Sequence, residues 1–232
     1  MYFLLFIPAL LVFLYALYRL VKDDYIFIRK GISLEQSFDI AFITLWIGLF
    51  VSRVLYLLLH FKKGENVLAD FFSFKNGGLS LTGAVVGGVL AIYLISKYKR
   101  LPLGRLSDFL SLSFLYALPF LFLANAIFVT KNDLLFVFLN AIVYFVLLLF
   151  FVQFIYPKIM NRSFKEGMLA ILFLLLFSLI ALTTSLLTTL KNIQGFLNLE
   201  NIILLLLFLT SIFLFVKLER GNSRTGRTML RS

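Results

Sequence analysis

Runs of about 20 apolar residues recur from one end of this chain to the other, and no other feature restricts its fold as strongly. The sequence has 232 residues, 62% of them hydrophobic and only 14% charged. A water-soluble domain of this size cannot enclose so much apolar surface, because roughly half of ordinary usage is apolar and a small body has much surface per volume. A bilayer removes the difficulty by acting as the solvent. The runs are uniform in Leu, Phe and Ile, which favours helices that satisfy their own backbone hydrogen bonds in hydrocarbon. A transmembrane barrel would instead show alternating segments of about 10 residues. The expected fold is therefore an all-α integral membrane protein with about seven transmembrane helices. The spans are expected at about 2–20, 34–61, 78–96, 107–130, 133–157, 167–190 and 197–217, so that a transmembrane domain fills 1–217 and a basic tail 218–232.

The loops are short, which makes the distribution of Lys and Arg a guide to orientation. Of the 22 basic residues, sixteen fall in one set of alternate loops and the tail, five fall on the opposite side, and Arg53 lies inside the second span. This predicts an N-terminus outside and a C-terminus in the cytoplasm. The first span has no basic start and no small-residue cleavage site, so it reads as a retained helix rather than a signal peptide. The polar tail is expected to be disordered and to touch the inner leaflet. Pro119 lies inside the fourth span and predicts a kink there, with a broken or re-entrant helix as the alternative.

There is no cysteine and one histidine, His60. Disulfides, thiolate metal sites and a cysteine nucleophile are excluded, and neither a metal nor a cofactor is expected. The net charge of +11 does not make nucleic acid an expected partner. The basic residues are scattered among apolar spans, where topology and anionic head groups account for them.

Arg53 is the most informative single residue. It lies about 12 Å below the outer end of its helix at 1.5 Å per residue, a depth at which an arginine is costly. Its guanidinium suits bidentate contact with a phosphate, and snorkelling to outer head groups is the alternative. In the segment Asn76-Gly77-Gly78-Leu79-Ser80-Leu81-Thr82-Gly83-Ala84 the glycines have two readings. Gly83 and Gly87 are spaced for close helix packing. Asn76, Gly77, Gly78, Ser80 and Thr82 stand at the outer mouth, where free amides and hydroxyls make an anion seat. Asn125 is a lone amide in an apolar run, suited to a bond with a neighbouring helix. Ser107 and Asp108 read as an N-cap. Glu35 and Asp39 read as capping or interfacial charges, and His60 as an interfacial histidine or a weak acid–base candidate. Thr183, Thr184, Ser185, Thr188 and Thr189 either bond back to preceding carbonyls or line a polar cavity.

These residues, in this order, resemble the prolipoprotein diacylglyceryl transferase family of the bacterial inner membrane. Leu49-Phe50-Val51-Ser52-Arg53-Val54-Leu55-Tyr56 looks like that family's Gly-Gly-Arg-x-Gly-Tyr segment. The segment from Asn76 to Ala84 looks like its Asp-Gly-Gly-Leu-Ser-Phe-His-Gly-Gly motif. Ser107-Asp108-Phe109 resembles its Ser-Asp-x-hydrophobic helix start, and the likeness covers roughly residues 10–127. It implies transfer of diacylglyceryl from phosphatidylglycerol to the lipobox cysteine thiol of a prolipoprotein. The partners implied are phosphatidylglycerol, the precursor's signal peptide and the bilayer. By the same likeness Arg53, Asn76, Gly77, Gly78, Ser80, Gly83 and Asn125 would bind substrate, with His60 and Thr82 as weak catalytic candidates. The chain departs from the pattern in four places, one of them the family's late arginine-rich helix, replaced here by the hydroxyl-rich stretch around Thr183 to Thr189. Thr82 stands where the motif has histidine, and Phe122 where a Gly-Arg-x-Gly-Asn-Phe signature has arginine. No His-Pro-x-Gln-x-Tyr-Glu segment follows near 130–140. The alternative is a silent relative that binds phospholipid or assists lipoprotein processing. A small transporter is disfavoured, since no set of intramembrane carboxylates is present.

Overall fold

Backbone amides in hydrocarbon have no water to bond, so apolar runs must close their hydrogen bonds within one helix. The computed structural model describes residues 6–22, 24–29, 32–60, 78–127, 131–160, 164–189 and 198–229, and all regular structure among them is helical. In chain order the helices are α1 Ile7–Lys22, α2 Tyr25–Arg29, α3 Leu34–His60, α4 Leu81–Lys99, α5 Leu103–Asn125, α6 Lys131–Phe150, α7 Tyr156–Met160, α8 Met168–Thr189 and α9 Leu199–Met229. Among the described residues six segments are long and apolar enough to cross a membrane. They are Leu34–Leu59, Leu81–Lys99, Leu103–Asn125, Leu134–Met160, Met168–Leu187 and Leu199–Glu219. The protein is a multi-pass, all-α membrane protein. The first expected span corresponds to α1, which has 16 residues; residues 1–5 lie outside the described part.

Two compact units make up the chain. The first comprises Met1–Ile43 and Ile95–Ala170, with α5 packed against α1 and α6. Leu17, Phe27, Phe109, Leu112, Leu115, Leu118, Tyr144 and Phe151 are fully enclosed, and Phe27 meets Phe109 edge to face at 5.4 Å. α5 starts at Leu103, four residues before the expected start, and continues through Pro119 to Asn125. The early start carries Arg105, expected in a loop, into the helix. There it is 5% exposed and pairs with Asp24, which is 1% exposed. Asp24 Oδ2 accepts from Arg105 Nε at 3.0 Å and from Nη2, while Oδ1 accepts from the amides of Ile26 and Phe27 at 3.0 Å. One carboxylate thus caps α2 and neutralises the arginine.

Asp108 does not cap its own helix. It lies in the second turn of α5, where Oδ2 accepts from Gly167 N at 2.7 Å and Oδ1 from Ala170 N at 2.9 Å, so it caps α8. A cap depends on the orphan amides it meets, and those can belong to another element. Gly167 has φ +90°, a left-handed conformation that favours glycine. Between α6 and α7 the backbone widens into a π turn over Phe151–Ile155, with the Tyr156 amide donating to the Phe151 carbonyl. Pro157 has no amide to offer the carbonyl four residues earlier, and a π turn accommodates that loss.

The second unit comprises Thr44–Leu94 and Ile171–Ser232. Here α3 and α4 approach through small residues, as the glycine spacing predicted. A Cβ on Gly83 would lie 2.8 Å from Ser52 Cα, and one on Gly87 2.8 Å from Val51 Cβ and 3.0 Å from Gly48 Cα. Thr183 and Thr184 both donate to the Ile180 carbonyl at 2.8 Å, the back-bonding expected of them. The last helix runs to Met229, so the backbone expected to be disordered beyond 217 is helical through most of the tail.

Candidate functional site

The close approach of α3 and α4 brings two consecutive residues of α3, Ser52 and Arg53, against the chain that enters α4. Ser52 Oγ donates to the Ser80 carbonyl at 2.7 Å, and Ser80 N donates to the Ser52 carbonyl at 3.3 Å. Arg53 is 6% exposed, and its Nη1 donates to the Gly78 carbonyl. The guanidinium also lies over the Tyr56 ring, 5.6 Å from its centroid. A Cβ at position 78 would collide with that ring. The glycine is therefore needed so that Tyr56 can cover the backbone that Arg53 holds. Arg53 is turned into the protein at this point rather than extended towards head groups.

Ser80 is the N-cap of α4: its Oγ accepts from Gly83 N at 3.1 Å, and its carbonyl accepts from Ala84 N at 3.0 Å. A capping serine satisfies one of the orphan amides of a helix start. The same hydroxyl donates to Glu200 Oε1 at 3.1 Å, and Thr82 Oγ1 donates to the same oxygen at 2.9 Å. Ser80 and Thr82 are both buried, at 6% and 3%, and Glu200 is half-buried in the first turn of α9. Both hydroxyls are thus engaged by a carboxylate of the chain itself. Sequence reasoning missed Glu200. The available signal was an acidic residue in the first turn of an otherwise apolar span, on the side that the Lys and Arg distribution assigns to the 76–83 mouth.

Of the residues singled out from the sequence, Arg53, Gly78, Ser80, Thr82 and Gly83 are brought together. Asn76 and Gly77 lie outside the described residues. His60 is the last residue of α3, and its side chain lies outside the described part. Asn125 ends α5 in the first unit, on an exposed turn. Phe122, where the resemblance would have an arginine, stacks on Tyr144 with ring centroids 5.2 Å apart and planes 10° from parallel. Among the described residues no group of three or more His, Cys, Asp or Glu side chains is arranged to hold a metal.

Residues 1–130 match the family described as prolipoprotein diacylglyceryl transferase, a stretch that contains Arg53 and the whole 76–84 segment. The chain belongs to that family. The phosphatidylglycerol–prolipoprotein diacylglyceryl transferase of Clostridioides difficile strain 630 is 30% identical over 80 residues, which are 34% of this chain and 32% of the relative. That of Clostridium kluyveri is 30% identical over 79 residues, 34% of this chain and 31% of the relative. That of Halalkalibacterium halodurans is 25% identical over 81 residues, 35% and 28% of the two chains. The matched stretch thus spans about a third of the length of these transferases or less. No solved structure matches the chain. Glu200 lies beyond the stretch matched by the diacylglyceryl transferase family.

Proposed function

We propose that this chain is a diacylglyceryl transferase of the bacterial cytoplasmic membrane. In this reading it takes phosphatidylglycerol as donor and the cysteine thiol of a prolipoprotein signal peptide as acceptor. The N-terminus is outside and the C-terminus inside, so the α3–α4 mouth opens at the outer leaflet, where precursors emerge. Arg53 holds the donor's head group, and Asn76 and Gly77, in the sequence leading into α4, are assigned to the same role. The observation that carries this reading is the buried Arg53 held against the Gly78 carbonyl at the glycine-rich start of α4. A guanidinium costs much to bury at this depth, and a phosphodiester nearby offsets the cost through charge-assisted bonds. The leaving group of the reaction is a phosphate monoester, whose developing charge needs such a cation in a water-poor site.

A second reading has its own observation. Phe122 contributes an aromatic stack where an arginine would supply a second positive charge. This favours a relative that binds phospholipid without transferring it. Complementation separates the two. In a strain depleted of its own transferase, expression of this chain is expected to restore the lipid-dependent mobility shift of a lipoprotein precursor. The Arg53→Met variant, present in the membrane at the same level, is expected not to. No shift with the unaltered chain would leave the phospholipid-binding reading standing.

A further inference from the structure

A thiol attacking carbon needs its proton removed, and threonine at position 82 has no basic group to do so. Among the described residues the carboxylate at this mouth is that of Glu200. From the convergence of Ser80 and Thr82 on its Oε1 we infer that Glu200 is the proton acceptor for the incoming thiol, an inference that rests on the transferase reading above. Three observations carry it. Two buried hydroxyls fix the carboxylate through a single oxygen, at 3.1 and 2.9 Å. Among the described residues no hydrogen bond falls on Oε2, which leaves that oxygen to take a proton. The side chain is half-buried while the hydroxyls that hold it are enclosed, so its open side is the side a substrate can reach.

The step balances without a further reactant. The thiol proton passes to Glu200 Oε2 as sulfur attacks the glyceryl carbon that carries the phosphate. A C–S bond forms and the C–O bond to the phosphate breaks. The electron pair of that bond leaves with glycerol phosphate, beside Arg53. The proton held on Glu200 then returns to the leaving phosphate or to water. Among the described residues the ionisable groups at this end of the unit are Arg53 and Tyr56 from α3 and Glu200 from α9, while α4 contributes hydroxyls. The His60 side chain lies outside the described part. Thr82 is a positioning residue in this scheme: it aims the carboxylate and does not meet the thiol.

The test uses the purified full chain in phosphatidylglycerol vesicles, a synthetic precursor peptide bearing one cysteine, and a relative of demonstrated activity in parallel. Rates of peptide lipidation are measured from about pH 6 to pH 9.5, a range that brackets the thiol's ordinary value near 8.5. Glu200→Gln is expected to lose about 100-fold or more near pH 6.5, the usual size of a general-base contribution. It is expected to recover towards the unaltered rate above pH about 8.5, where the thiolate forms unaided. Glu200→Asp should keep part of the activity at low pH. A Glu200→Gln variant that matches the unaltered chain overturns the inference, as does one that is depressed equally at every pH while Glu200→Asp is depressed too. Either result leaves the transferase reading intact. If the unaltered chain transfers nothing while the relative does, the transferase reading fails and the role of Glu200 fails with it.

Discussion

Replacing Arg53 by methionine keeps most of the side-chain length and removes the charge, so its consequences can be worked from the contacts seen. The change deletes the donor to the Gly78 carbonyl and the cation over Tyr56. A hydrogen bond from a charged donor contributes about 1.5–3 kcal/mol. A cation over an aromatic ring adds about 0.5–1 kcal/mol or more where water is excluded. Together the α3–α4 mouth should lose about 2–4 kcal/mol of local stabilisation. Insertion pulls the other way, because a deep arginine costs up to about 2.5–3.5 kcal/mol to bring into the membrane and methionine does not. The variant is therefore expected to reach the membrane at least as well as the unaltered chain, with little net change in melting temperature. Under the proposed function, transfer would depend on the charge and not on the sum. Removing one preorganised donor from a developing anion costs about 100–1000-fold in rate. Arg53→Lys should recover only part, since an ammonium cannot reproduce the planar fork. The assay pairs detergent melting curves with lipidation rates. A methionine variant that transfers at the normal rate would refute the reasoning, because Arg53 would then be a packing residue only.

Three further outcomes follow from the same geometry. Gly87→Leu drives a side chain into Val51 and the Gly48 backbone and should cost about 1–3 kcal/mol, read as a lower melting temperature; an equal substitution at Gly88, whose nearest neighbour is 3.9 Å away, should cost less. Arg105→Met leaves the Asp24 carboxylate buried without its partner and should destabilise by about 3–5 kcal/mol, whereas Arg105→Met with Asp24→Asn should recover a good part of that loss in the same melting assay. Asp108→Asn offers one acceptor where two amides of the α8 start need one each; it should cost about 1–3 kcal/mol and speed amide exchange at Gly167 and Ala170.

The membrane class was legible because hydrocarbon imposes a length and a composition that few other environments do. The glycine faces of α4 were legible for a related reason: small residues one turn apart have few uses in a bilayer other than close approach. Arg53 stood out because burying its charge at that depth needs a reason. Position along the chain misled where it was taken to fix surroundings. Arg105 and Asp108 read as a loop charge and a local cap, yet each meets a partner far away in sequence, Asp24 in one case and the start of α8 in the other. Glu200 was missed on the same ground. It lies 118 residues from Thr82, and no local pattern announces a carboxylate whose partners come from another helix. The helical tail was hidden as well, since composition alone does not show that an apolar helix will carry its polar continuation along.

The central claim is that this chain moves a diacylglyceryl group onto a thiol. Its most direct test is the mass of a single-cysteine precursor peptide incubated with the purified protein in phosphatidylglycerol vesicles. Transfer predicts a peptide heavier by one diacylglyceryl group, with glycerol phosphate released in equal amount and no gain on a serine-for-cysteine peptide. An unchanged peptide, alongside a relative that lipidates it under the same conditions, would contradict the claim.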